Sequence, residues 1–183
     1  MNSTSSTIPD KNNQEGFLGM LNAHKGILYK VSNAYCAQPE ERSDLVQEII
    51  VELWRAYPTF DAARAQFSTW MYRIGLNVAI SMHRGQARRI HDTVPIEALL
   101  DFAAADAELA QGDDDLLALQ QLLRSLDALS RALILLYLEG YEQNEIADLT
   151  GLTTTNVSTR LQRIKQKLQE QVSVSVKNPE GEI

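Results

Sequence analysis

Near the C-terminal end, Thr155, Asn156, Thr159, Gln162, Arg163 and Gln166 alternate with an apolar set, Val157, Leu161, Ile164 and Leu168, spaced by four, three and four residues. At about 100° per residue these are two opposed faces of one helix. The polar face carries the residue types that hydrogen-bond base edges in a major groove: arginine matches guanine, and asparagine or glutamine matches adenine. Arg160, Lys165 and Lys167 lie toward its flanks, where phosphates run. Just upstream, Ala147, Gly151 and Val157 have the spacing of a helix-turn-helix. That motif needs a small residue where the helices touch, a turn glycine, and a buried residue on the second helix. Ile146, Leu152 and Leu161 fill the remaining core places, and Thr153 is the expected N-cap. A polar helix face by itself is ordinary solvated surface; with this spacing and four basic residues within eight positions it predicts DNA binding.

A second set lies in the N-terminal half. Arg73, Asn77, Ser81, Arg84 and Arg88 recur at steps of four, four, three and four, across from Phe67, Met71, Ile74, Val78 and Met82. The loop before them, 57–66, holds Tyr57, Phe60 and Arg64. Aromatics interleaved with arginines suit single-stranded nucleic acid, whose bases stack on rings while cations follow the backbone. Taken singly, Trp54, Phe60, Phe67 and Trp70 read first as core aromatics. Asp44, Gln47 and Glu48 occupy the polar side of the preceding helix, by themselves a solvated face.

Catalytic chemistry has no comparable constellation. Asp113, Asp114 and Asp115 are consecutive, so on a helix they point about 100° apart and do not converge on one ion. The three histidines, His24, His83 and His91, are scattered, and the single cysteine, Cys36, reads as a packing residue in an apolar stretch. No cofactor, metal or enzymatic activity is expected.

The elements that must position these groups are helices. Of 183 residues only 9 are glycine and 5 proline, and no alternating β-branched stretch occurs, which predicts an all-α fold. The periodicity predicts one helix from Phe17 to Tyr35, a second from about Glu40 to Ala56 and a third from about Phe67 to Arg89. Further helices follow over Leu116–Leu126 and, capped by Ser130, over Arg131–Leu138 with Gly140 as its stop. From Asp92 to Asp115 there are eight acids and no Lys or Arg, a flexible acidic linker between two basic regions. The expected division is a disordered lead-in at 1–14, a helical domain at 15–91, the linker at 92–115, a helix-turn-helix domain at 116–171 and a tail at 172–183. The net charge is −7, yet binding to nucleic acid follows the local positive face. The longest apolar run, Ala132–Leu138, is far short of a bilayer span, and the start lacks a signal pattern, so a cytoplasmic protein without membrane insertion is expected.

Several runs carry a family resemblance. Asp44-Leu45-Val46-Gln47-Glu48 with Leu53-Trp54, Phe67-Ser68-Thr69-Trp70-Met71-Tyr72-Arg73-Ile74, Asn77-Val78-Ala79-Ile80, and Arg84 with Arg88-Arg89 resemble region 2 of bacterial RNA polymerase sigma factors of the extracytoplasmic-function group. Leu126, Leu129, Gly140-Tyr141, Glu145-Ile146-Ala147, Gly151-Leu152 and Val157 through Arg160-Leu161 resemble their region 4. The resemblance implies that Asp44, Gln47 and Glu48 dock on the clamp helices of the polymerase β′ subunit. It implies that Tyr57, Phe60 and Arg64, with Arg73, Asn77, Arg84 and Arg88, bind the promoter's minus-ten element and capture an unstacked base. Thr155, Asn156, Thr159, Arg160, Gln162, Arg163, Gln166 and Lys167 would read the minus-thirty-five element, with their domain resting on the β flap. The linker would thread toward the RNA exit path, and an anti-sigma factor is an implied partner. The family's frequent Ala-Arg before the helix asparagine is Gly75-Leu76 here, its Arg-Gly in the minus-ten loop is Arg64-Ala65, and Ser81 and Ser158 replace a frequent acid and a common base. The alternative reading is a stand-alone helix-turn-helix regulator of duplex DNA.

Overall fold

A computed structural model describes residues 11–85 and 121–177, and among them every regular element is helical. Helices α1 (Lys11–Ala23), α2 (Gly26–Tyr35), α3 (Pro39–Ala56) and α4 (Phe67–His83) form one bundle. Helices α5 (Ala128–Leu138), α6 (Gln143–Thr150) and α7 (Thr154–Lys177) form a second. Residues 1–10, Arg88, the expected linker at 92–115 and the start of the helix expected at Leu116 lie outside the described residues. The all-α, two-domain architecture matches the expectation. Helix α1 begins at Lys11, inside the expected lead-in, and α7 runs to Lys177, past residue 171 where a tail was expected. Extending an existing helix adds one hydrogen bond per residue fixed, so polar residues prolong it at little cost.

The first bundle closes on Phe17, Leu21, Leu28, Val31, Leu45, Ile49, Leu53 and Met71, all at most 1% exposed. Helix α3 supplies the double stripe Leu45, Val46, Ile49, Ile50, Leu53 and Trp54. Pro39 starts it, and Glu40 and Glu41 in its first turn and Arg55 in its last oppose the helix dipole.

Three local expectations are corrected. The single helix over 17–35 is two, because a tighter turn interrupts it: the His24 N–H donates to Leu21 O (3.2 Å) and the Ile27 N–H to His24 O (3.0 Å), three-residue steps just ahead of helix-poor Gly26. Helix α4 ends at His83, not Arg89, since Gly85 takes a left-handed φ of 67° that halts propagation. Asp127, not Ser130, caps α5; its carboxylate accepts from the Ser130 N–H (3.0 Å) and hydroxyl (2.5 Å). Burial alone would raise the Asp127 pKa, but these bonds hold it below the ordinary value.

Gly75 sits buried in mid-α4, where an added Cβ would meet Ile49 at 3.6 and 3.7 Å and Val31 at 3.9 Å, ordinary van der Waals contact. Alanine there fills space and removes glycine's unfolded-state entropy. Gly75→Ala should therefore stabilise the chain by about 1 kcal/mol, read as a higher urea midpoint; a lower midpoint would show that the α3–α4 contact cannot take a methyl.

Candidate nucleic-acid interface

The helix-turn-helix is built as its spacing requires. Glu142 and Glu145 form a reciprocal capping box at the start of α6. Gly151 adopts φ 72°, which lets the Leu152 N–H reach back to Ala147 O at 3.1 Å and turns the chain toward α7. The Thr153 hydroxyl accepts from the Asn156 N–H at 3.3 Å, the expected N-cap. Ile146 (0%), Ala147 (5%), Val157 (0%), Leu161 (2%) and Ile164 (4%) are buried between α5, α6 and α7, and this fixes the rotation of α7 about its own axis. As a consequence Thr155, Asn156, Thr159, Arg160, Gln162, Arg163, Gln166 and Lys167 are all exposed together. Lys165 packs its ammonium 3.8 Å from the Tyr137 ring centre, and Lys167 Nζ donates to Ser125 O at 3.2 Å, so both cations are anchored toward the flank of the polar face.

In the first bundle, Arg73, Asn77, Ser81 and Arg84 are exposed along α4, opposite buried Met71, Gly75 and Ala79. The loop residues behave differently from one another. Tyr57 and Phe60 are half-buried and belong to a continuous aromatic array. Phe60 lies 5.1 Å from Trp70 and 5.4 Å from Phe67, and Tyr57 lies 5.1 Å from Phe17 between centroids. Tyr57 and Phe60 stack nearly parallel, with 14° between their planes. The ring set roots the loop in the core, while half-buried Tyr57, Phe60 and Trp70 keep some ring surface at the outside. Arg64 projects into solvent with 87% of its side chain exposed, 3.3 Å from Asp61. The array's inner members, Phe17 and Trp54, carry no signal of that role in a sequence pattern, because their spacing is that of any buried stripe.

On α3, Asp44 is exposed while Gln47 and Glu48 are half-buried, so the three form one acidic edge. Burial first, and neighbouring Glu52 second, push the Glu48 carboxyl pKa up against the pull of Arg55. Beside Asp44 a cavity of 330 Å³ opens between α2, α3 and α4, lined by Tyr35, Cys36, Glu41, Leu45, Met82 and His83 among others. Burial raises the Cys36 thiol pKa, which makes it a poor nucleophile, as a packing cysteine should be. Among the described residues no group of three or more His, Cys, Asp or Glu side chains is placed to hold a metal, and no helix is long and apolar enough to cross a membrane. Asp113, Asp114 and Asp115 lie outside the described residues.

Residues 20–89 match the family model for Sigma-70 region 2, and residues 116–168 match that for Sigma-70, region 4. The chain is 29% identical over 167 residues to the RNA polymerase sigma factor CnrH of Cupriavidus metallidurans, covering 85% of this chain and 86% of that one. It is 23% identical over 172 residues to the ECF RNA polymerase sigma factor SigW of Bacillus subtilis, covering 88% and 91%. The solved structure of CnrH in complex with the cytosolic domain of CnrY has the same fold, with a TM-score of 0.60 at 24% identity over 88% of this chain and 90% of that one.

Proposed function

The chain belongs to the sigma-70 family as an extracytoplasmic-function sigma factor, and from that premise we propose how its parts divide the work of promoter-specific initiation with core RNA polymerase. The observation that carries the reading is the ordered pair of matches, region 2 then region 4, with the second closing on an exposed recognition helix. The acidic edge Asp44, Gln47 and Glu48 takes the β′ clamp helices. Tyr57, Phe60 and Arg64 receive an unstacked base of the minus-ten element, while Arg73, Asn77, Arg84 and Arg88 follow its backbone. Helix α7 reads the minus-thirty-five element as its domain rests on the β flap. The working units are 15–91 and 116–171, joined by the acidic stretch 92–115. The protein is non-catalytic itself and acts in the cytoplasm. A structure of similar fold, the sigma factor RpoE in complex with the anti-sigma factor NepR from Bartonella quintana, supports an anti-sigma factor as a further partner. The stand-alone regulator has no use for a region 2 match and is the weaker reading.

The test is reconstitution. The chain plus core polymerase should yield transcripts from a cognate promoter that core alone does not produce, whereas a stand-alone regulator would bind the duplex and gain nothing from core. Within that assay, Asp44→Ala with Gln47→Ala should weaken core binding by about tenfold, or 1.4 kcal/mol. Folding should persist, because substitutions on such a surface move stability by about 0.5 kcal/mol or less. Unchanged affinity in a titration would remove α3 from the polymerase interface.

A further inference from the structure

Among the described residues two large apolar side chains stand well exposed, Tyr137 at 38% and Leu138 at 54%, at the end of α5. A single exposed aromatic is ordinary. What sets Tyr137 apart is its neighbour: the ammonium of Lys165 reaches across from α7 and lies 3.8 Å from the ring centre, well inside the roughly 6 Å over which a π face attracts a cation.

At about 100° per residue, Lys165 stands about 70° to one side of the direction set by buried Val157, Leu161 and Ile164, and Lys167 about 90° to the other. The candidate base readers lie between them. A helix seated in a major groove has a phosphate strand along each flank, so on the proposed function each strand would meet one lysine already held by the body of its own domain. Ser125 O holds Lys167 at 3.2 Å, and the Tyr137 ring holds Lys165. Both anchors are uncharged. A carboxylate in either place would grip its lysine more firmly and would cancel the charge that a phosphate needs, as Glu139 does for Lys30 at 2.8 Å.

Resting on the reading of α7 as the DNA-contacting helix, we propose that Tyr137 is a positioning residue: its ring holds Lys165 in advance where the backbone of one DNA strand passes. A lysine stem is long and flexible, and gripping a phosphate costs it much of that freedom. A side chain held beforehand loses less on binding. The π face draws the cation without neutralising it, and Lys165 remains exposed, so its ammonium keeps charge and donors for a phosphate oxygen.

The test is titration of the holoenzyme, at several salt concentrations, against promoter duplexes that carry the upstream element or a scrambled one. Lys165→Ala should weaken both alike and reduce the dependence of log affinity on log salt by about one unit. Tyr137→Leu leaves the charge in place but frees it, and should weaken both duplexes by about threefold with the salt dependence unchanged. Tyr137→Phe keeps the ring and should match wild type. With Lys165→Ala already present, Tyr137→Leu should cost nothing further, because the two side chains act as one unit. An equal cost of Tyr137→Leu in both backgrounds, a loss in Tyr137→Phe, or an unmoved salt dependence in Lys165→Ala would each overturn the proposal. Equal affinity of wild type for the two duplexes, with the Tyr137–Lys165 coupling intact, would instead count against base reading by α7 and leave the anchor standing.

Discussion

Arg131→Ala is expected to lower the stability of the helix-turn-helix domain by about 3 kcal/mol or more, because each buried acceptor left unsatisfied costs about 1–3 kcal/mol. The side chain spends its donors on main chain: Nε to Leu123 O at 3.0 Å, and Nη2 to Arg124 O and Leu126 O, each at 2.9 Å. Those carbonyls form the turn that delivers the chain to the Asp127 cap, so the guanidinium ties the approach of α5 to α5 itself. A buried cation is tolerable here because its fork is almost fully used and one face rests on the Tyr35 ring. Burial presses its pKa down, although an arginine starts so high that it stays charged. Arg131→Met separates volume from bonding, since it keeps an unbranched stem and loses every donor. Both variants should unfold at clearly lower urea, with the methionine substitution recovering only the packing share. A methionine variant as stable as wild type would show that the carbonyls are satisfied without the guanidinium.

The helix-turn-helix was legible because its constraints are local: a left-handed Gly151, a close-approach Ala147 and a buried Val157 must recur at fixed steps, and each leaves its own residue type. The outward α4 stripe of Arg73, Asn77, Ser81 and Arg84 was legible from its steps, but the core face opposite it is Phe67, Met71, Tyr72, Gly75, Leu76 and Ala79, and the expected Ile74, Val78 and Met82 are only half-buried. What the sequence hid falls into two kinds. Breaks that preserve the periodicity are invisible to it: Lys25 keeps φ −54° and ψ −30°, so the apolar face runs on through the turn between α1 and α2. Contacts between distant segments leave no pattern at all, and Tyr35 and Arg131 stand 96 residues apart. The cover that α5 takes from the first bundle is of this second kind, for a helix buried on nearly all sides needs neighbours that its own spacing does not name. Tyr35 and Arg131 therefore entered through geometry, whereas the outward residues of α7 entered through spacing.

On α7 the core anchors Val157, Leu161 and Ile164 set which side chains a duplex would meet, and that fixes the largest expected effect on DNA recognition. Asn156 lies in the first turn of the helix and Arg163 in the third, both on its exposed face, free of the core and suited to bidentate contact with adenine and guanine. Asn156→Ala and Arg163→Ala should each cost about 1–3 kcal/mol of discrimination at one base position, leaving affinity for unrelated duplex nearly unchanged. Lys167 differs in kind: its ammonium is held at Ser125 O, at the domain's flank, where a phosphate rather than a base edge is in reach. Lys167→Ala should weaken all sequences alike and reduce the dependence of log affinity on log salt by about one unit. Titrating the holoenzyme against promoter duplexes with single substitutions in the upstream element, at several salt concentrations, separates the two behaviours. Uniform loss in all three variants would mean that α7 lies along the backbone and that the minus-thirty-five element is read through its shape.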